Sequence, residues 1–359
     1  MGSDWPLHAP TLVTPERSAW EAFVTTHPRG HLLQQPNWAT LKAIAGWRTQ
    51  RVAVAANGQL IAGAQIIFRG RFGFTMAYVP RGPLFTGQPE VDELLLAALL
   101  QVARRNRAVF LRLEPNVCVD EAHAPPLAHW LSQQRFLPTE PLQPRSTIHL
   151  DLTPSPDQLF AACSKGHRAD IRRAERQGVT VRVGTTEADL DRFFAIMQAT
   201  SSRAGFAIHS ADYYRRAWAL FAPRSRLLLA EHATSTIAAH LVFAGPHHGL
   251  YLYSGANDAG LRSGANHLLE WHALQWARTL GCHTYDFWGI PDALGRAATV
   301  PDDATRTALE SEAQHDPLMG VYRFKKGFGG HVVRYLPAYD RILMPPLYAL
   351  WLKSGKRGA

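Results

Sequence analysis

The residues best suited to chemistry lie near the C-terminus, where Phe324-Lys325-Lys326-Gly327-Phe328-Gly329-Gly330 sets two ammonium groups between aromatic rings, with three glycines in four positions. Lysines are costly to bury without partners, and three glycines weaken any regular element, so packing alone is a poor account of the segment. A basic surface turn is the competing reading. Ahead of it, Tyr285-Asp286-Phe287-Trp288-Gly289-Ile290-Pro291 reads as an aromatic strand ending in a loop. Together they imply a cleft with cations at its mouth and a glycine-rich backbone able to approach a ligand closely.

A second group of cations is helical. Lys165, Arg168, Arg172, Arg173 and Arg176 recur at spacings of three and four, which puts several on one face. A solvated basic face is the ordinary meaning of such a run. The whole chain, however, carries 38 Lys+Arg against 29 Asp+Glu, a net charge of +9, which favours an anionic partner: nucleic acid, a phosphorylated metabolite or an acidic membrane surface. The three cysteines, Cys118, Cys163 and Cys282, lie far apart, which supports neither a disulfide scaffold nor a zinc site and fits a reducing cytoplasm. Residues 1–10 lack the basic and apolar regions of a leader, and no stretch approaches the apolar run of a membrane span, so a soluble protein is expected.

The elements that position these residues occur twice. With 359 residues, 46% of them hydrophobic, two cores of ordinary size are expected. Arg51 to Phe68 reads as two β-runs around an Asn57-Gly58 turn, and Arg226 to Phe243 repeats the hairpin. A tyrosine strand follows each hairpin, Met76-Ala77-Tyr78-Val79 and Leu250-Tyr251-Leu252-Tyr253. A helix comes next, over Val91 to Arg105 and Ala265 to Leu280, and then a strand, Val109 to Pro115 and His283 to Gly289. Four elements in one order at nearly one offset predict tandem α/β domains, 1–150 and 151–336, with 337–359 completing the first.

A repeated unit of this kind resembles the GNAT acyltransferase fold, a mixed α/β (α+β) sheet, split and flanked by helices. In ordinary members a glycine-rich turn before the central helix cradles the pyrophosphate of acetyl-coenzyme A. Here residues 260–266 lack the full pattern and the first repeat offers only Gly82 to Gly87, so a coenzyme A donor is disfavoured.

The order of motifs resembles the FemABX family, the aminoacyl-tRNA-dependent transferases that build peptidoglycan interpeptide bridges. It is carried by Gln35-Pro36-Asn37-Trp38-Ala39-Thr40-Leu41-Lys42, Tyr78-Val79-Pro80-Arg81-Gly82-Pro83, Leu111-Arg112-Leu113-Glu114-Pro115, the run from Ser164 to Val179, Tyr285 to Ile290 and the Phe-Lys segment. The resemblance spans nearly the whole chain and implies that the amine of a precursor's stem peptide attacks the ester carbonyl of an aminoacyl-tRNA, with no cofactor and no metal. By match to the family's Phe-Lys pair, Lys325 stabilises the oxyanion and Phe324 shapes the pocket for the tRNA's terminal adenosine, although Lys326 adjoins and the two exchange roles if the register differs. In an extended segment the two lysines point apart.

The resemblance also places Lys42 and Tyr213 at the precursor's diphosphate. His209 stands where the family carries an arginine, and a neutral imidazole cannot make the bidentate contact. Lys165, Arg168, Arg172, Arg173 and Lys326 become the tRNA-binding set. Glu114 matches a family acid at a strand end, either a general base or an ion-pair partner of Arg112 or Arg81, and Asp286 carries the same ambiguity. The general base stays open, the tRNA's vicinal hydroxyl being a further candidate. The acceptor is nucleotide-linked (UDP) or lipid-linked, and a monomer is expected.

No stretch is long enough for the helical arm of some members, so the compact, FemX-like form is the closer match. Asp292 to Gly320, with Pro301-Asp302-Asp303, is expected as a mobile loop over the cleft. Tyr339 to Lys353 is read as packing back on the first domain; its alternative, with Lys353, Lys356 and Arg357, is a peripheral contact with the cytoplasmic face of an anionic inner membrane. Two other classes compete: an N-acyltransferase, coenzyme A-dependent or tRNA-dependent, acting on a small metabolite, and a non-catalytic RNA-binding module.

Overall fold

The computed structural model describes residues 9–355 and forms two compact units, Met1–Arg145 with Arg334–Ala359, and Ser146–Val333. The first contains β1 (Thr11–Val13), α1 (Arg17–Thr26), α2 (Pro36–Ile44), β2 (Arg48–Ala56), β3 (Gln59–Arg71), β4 (Phe74–Val79), α3 (Pro89–Arg105), β5 (Ala108–Leu113), α4 (Ala124–Gln133) and β6 (Leu137–Thr139). From the far end of the chain it takes β14 (Ala338–Ile342) and α14 (Pro345–Gly355). The second contains β7 (Ser146–Asp151), α5 (Pro156–Ala162), α6 (Lys165–Arg176), β8 (Thr180–Val183), α7 (Glu187–Ala204), α8 (Ala211–Leu220), β9 (Ser225–His232), β10 (Ser235–Ala244) and β11 (His248–Ala256). It continues through α9 (Asp258–Ser263), α10 (Ala265–Thr279), β12 (Thr284–Asp286), α11 (Asp292–Ala297), α12 (Asp303–Ala313), α13 (Met319–Lys326) and β13 (His331–Arg334).

Each unit is built on a seven-stranded mixed sheet, ordered β1-β2-β3-β4-β5-β14-β6 and β13-β7-β12-β11-β10-β9-β8. The hairpins form where the sequence places them. Asn57 and Gly58 take φ 50° and 75°, the left-handed pair that a two-residue turn requires. The central helix α3 starts with Pro89, has Glu90 and Asp92 in its first turn and ends on Arg104 and Arg105, each sign opposing the helix dipole. Its Val91, Leu95 and Leu99 are buried against Val54, Ile66 and Val79 of the sheet. In the second unit α10 buries Leu269, Ala273 and Leu274 in the same manner.

The repeats differ at the parallel pair that splits such sheets. β4 and β5 stay paired from Thr75↔Ala108 to Val79↔Leu113, and the ladder continues through Glu114 N–H to Val79 O (3.0 Å) and Gly82 N–H to Glu114 O (2.9 Å). β11 and β12 pair only over His248↔Thr284, Gly249↔Tyr285 and Leu250↔Asp286, after which β11 runs on to Ala256. The second sheet is split beyond Leu250; the first is closed.

Two sequence expectations are corrected. Residues 292–320 are not a loop but α11, α12 and the first turn of α13. The polar Pro301-Asp302-Asp303 is a helix start: the Asp302 carboxylate accepts from the Thr305 N–H at 2.7 Å, and an alanine-, leucine- and glutamate-bearing helix follows. Residues 339–353 do pack on the first unit, but as a strand inserted between β5 and β6 followed by α14, whose Leu347, Tyr348 and Trp351 cover Met76, Tyr78 and Phe110. Lys356 and Arg357 lie outside the described residues.

Candidate active site

The Phe-Lys segment is the last turn of α13, not an extended strand. The straight-chain Arg323, Lys325 and Lys326 favour the helix, and the glycines of this segment begin at its C-cap, Gly327. Those glycines serve packing with the protein's own chain. A Cβ on Gly327 would lie 2.0 Å from the His167 ring, and Gly329 combines φ +95° with the Ala162 carbonyl 2.9 Å from where a Cβ would sit. The close approach expected toward a ligand is therefore made toward α5 and α6.

Lys325 is 4% exposed and lies beside the split, its Nζ 5.5 Å from the centre of the Tyr251 ring. It donates to the carbonyls of Gly289 (2.6 Å) and Trp288 (3.1 Å). Burial lowers its pKa to about 7, with Asp286 and Glu270 acting in the opposite direction. Asp286, itself buried, accepts from Trp288 N–H at 2.7 Å and from the Thr147 hydroxyl, which holds Trp288 at φ 61° with its carbonyl on the lysine. Phe324 packs edge-on against His267 (5.0 Å) and Phe328 (5.4 Å), and its carbonyl is 2.7 Å from His167 Nε2. Lys326 is exposed and bonds the Gly330 carbonyl at 2.8 Å.

On α6 the cations divide. Lys165 and Arg172 are exposed, the latter stacked over Phe160 at 5.2 Å. Arg168 closes the end of α5 by donating to the carbonyls of Ala161 (2.8 Å) and Cys163, and Arg173 pairs with Asp170 at 2.9 Å. His209 stacks on Tyr213 at 3.9 Å, and the Tyr213 hydroxyl is 3.4 Å from that of Tyr253. In the first unit Lys42 lies over the Trp38 ring at 4.6 Å, its pKa lowered to about 8 by burial and by Arg69.

The two ambiguous acids are both heavily hydrogen-bonded. Glu114 accepts from the Tyr78 hydroxyl at 2.6 Å and from the main-chain N–H groups of Leu142 and Gln143. Arg112, one of its proposed partners, is bidentate to Asp340 instead, at 2.7 Å and 2.7 Å.

Sequence reasoning missed a fully buried acid–base pair behind the lysine: His240 Nδ1 and Glu270 Oε2 are 3.2 Å apart, both side chains 0% exposed. The His240 ring meets Tyr251 edge-on at 5.3 Å, and Tyr285 is buried beside them. The available signal was an acid on the buried face of α10, four residues before Leu274, and a single histidine within the apolar run of β10.

The turns before the central helices, where a pyrophosphate would sit, are occupied by the chain itself. In the first unit the Asp92 carboxylate accepts from Thr86 N–H and Gly87 N–H, both at 2.8 Å, and from the Thr86 hydroxyl at 2.9 Å. In the second, the Asp170 carbonyl of α6 lies 2.5 Å from where a Gly264 Cβ would stand.

The profile of the FemAB family matches residues 16–126, 128–236 and 231–352. Among characterised proteins the chain is similar to the lipid II:glycine glycyltransferase of Staphylococcus saprophyticus, 24% identical over 92% of this chain and 93% of that one. The enzyme of the same name from Staphylococcus aureus is 24% identical over 92% of each. Among solved structures, FemX superimposes with a TM-score of 0.82 at 21% identity, covering 95% of this chain and 99% of that one. A tandem GNAT protein from the clavulanic acid biosynthesis pathway gives 0.53 at 12% identity, over 93% and 98%. Both units thus have the GNAT-type fold. Matched by one family along nearly its whole length, the chain is an acyltransferase and belongs to the FemAB family.

Proposed function

We propose that this protein transfers an amino acid from aminoacyl-tRNA to the stem-peptide amine of a lipid-linked peptidoglycan precursor, extending an interpeptide bridge. The observation that carries the chemistry is Lys325, fixed by two carbonyls beside the split of the second sheet. The amine attacks the ester carbonyl, a C–N bond forms, and the negative charge on the carbonyl oxygen is met by the remaining N–H of the ammonium. Collapse breaks the C–O bond to the ribose, and the proton lost by the amine goes to that oxygen, relayed by the vicinal hydroxyl. Glu114 and Asp286 already hold main-chain donors, which favours the tRNA's own hydroxyl for that relay. Phe324 borders the terminal adenosine, with Lys165, Arg172 and Lys326 as exposed phosphate contacts beside it. Within the second unit, the stacked His209–Tyr213 pair is the candidate for the acceptor's phosphates.

Lipid-linked acceptor is preferred because the relatives are named for lipid II. The occupied turns at Asp92 and Asp170 favour a donor other than coenzyme A. The test is incubation with a set of charged tRNAs, with lipid-linked and UDP-linked precursors in separate arms and acetyl-coenzyme A as a third, followed by product mass. Addition of one aminoacyl mass to the lipid-linked precursor is expected. Transfer from acetyl-coenzyme A, or none from any charged tRNA, overturns the reading.

A further inference from the structure

The β3–β4 hairpin of the first unit breaks the rule that the β2–β3 hairpin obeys. Its turn is Phe72-Gly73, with φ 50° and 78°, so a phenylalanine holds the left-handed position given to asparagine in the other turn. That conformation is unfavourable for a bulky residue, and the ring is 85% exposed as well. Neither local geometry nor burial accounts for it.

The surroundings are cationic. Beside the tip lies a cavity of about 460 Å³ lined by Arg48, Arg71, Phe72, Phe74, Arg105 and Arg107, with no aspartate or glutamate in its wall. It shares Arg48 and Arg105 with a groove of about 970 Å³ that adds Arg17 and Arg51 and again has no acid. Among the described residues, Arg48, Arg105 and Arg107 take part in no ion pair; those of this unit that are seen, Arg29–Glu121 and Arg112–Asp340, lie elsewhere. Arg51 is held below the usual arginine range by burial and then by Arg17, with Glu16 acting in the opposite direction, and its Nε is buried without a hydrogen-bond partner among the described residues.

We propose that this hairpin and its arginines dock the protein on an anionic phospholipid bilayer, Phe72 entering the interface while the arginine-lined cavity takes a lipid phosphate. An apolar ring adjoining an open, arginine-lined hollow with room for a phosphate head group matches a phospholipid, which joins the same two chemistries. RNA fits less well, because the Arg71 guanidinium covers one face of the Phe72 ring at 5.1 Å, where a base would stack. A second apolar projection supports a surface: α14 packs through Leu347, Tyr348 and Trp351 on the same cluster as Phe74, leaving Leu350 62% exposed.

The proposal is independent of the transfer chemistry, since docking is measured without catalysis. The full chain is sedimented with vesicles of phosphatidylcholine alone or with about one third phosphatidylglycerol. Salt-sensitive binding to the mixed vesicles only is expected. Phe72→Ser should weaken it by about tenfold and Arg48→Glu/Arg105→Glu by at least about twentyfold, with melting temperatures unchanged. Equal binding to both vesicle types, or unchanged partition in either variant, overturns the proposal. So does a loss of tRNA affinity in the arginine variant while vesicle partition is unchanged, which would make this an RNA surface.

Discussion

An ammonium has three N–H donors, and Lys325 directs two of them to the carbonyls of Trp288 and Gly289. Only the protonated form retains a donor for a substrate oxygen, and with the pKa lowered to about 7 that form declines across neutrality. The turnover number should therefore fall as pH rises above about 7. Lys325→Ala should lower kcat by about a hundredfold, close to 3 kcal/mol, with KM changed far less. Glu270→Gln removes a charge that favours the ammonium and should move the alkaline limb of the kcat profile to lower pH; a limb that stays in place would disconnect the buried pair from the lysine. Stability should respond in the opposite sense to activity. Below pH 7 the lysine is charged in both folded and unfolded chains and its burial is fully unfavourable, whereas between about 7 and 10.5 the folded chain sheds the proton and stability rises. Lys325→Met should thus raise the melting temperature at pH 6, by a margin that narrows toward pH 10.

At the scale of elements, α6 performs two tasks with one set of cations. Arg168 caps α5 and Arg173 is tied to Asp170, while Lys165 and Arg172 face solvent. Replacing Lys165 and Arg172 with alanine should weaken tRNA binding and reduce its log–log salt slope by up to about 0.9 per phosphate contact, without changing the melting temperature. Arg168→Ala should instead lower the melting temperature, since it removes the donor to the carbonyl of the buried Cys163 and to that of Ala161 at the end of α5. The neighbouring turn gives a cleaner structural test. Gly327→Ala drives a methyl into the His167 ring, so thermal melting should reveal clear destabilisation; an unaffected protein would mean that α6 and α13 are not packed as described.

Across the whole molecule, the two repeats were legible because hairpins, central helices and following strands each announce themselves locally: Asn57-Gly58 as a turn, Pro89 as a start, Arg104 and Arg105 as a finish. What the sequence concealed depends on contacts far apart in the chain. Glycines at 327 and 329 look like ligand-facing backbone until His167 and Ala162 are seen against them. Lys325 looks exposed until the Trp288 and Gly289 carbonyls arrive. Asp302 was misread for a different reason, since an N-cap and a loop use the same polar residues and only the following helix tells them apart.

The strand β14 has a consequence for how the protein is made. It lies between β5 and β6, and its Asp340 supplies the buried partner of Arg112, 228 residues earlier. On the ribosome the first unit is translated almost entirely, yet its sheet must wait with a gap, while Ser146–Val333, continuous in sequence, has every strand it needs before the last residues emerge. The later-synthesised half should be the earlier to finish folding, and nascent chains ending before Ala338 should show a protease-resistant second unit beside a cleavable first. The strand of the first sheet that is last to leave the tunnel then acts as the latch that completes a unit whose Arg112 emerged 228 residues earlier.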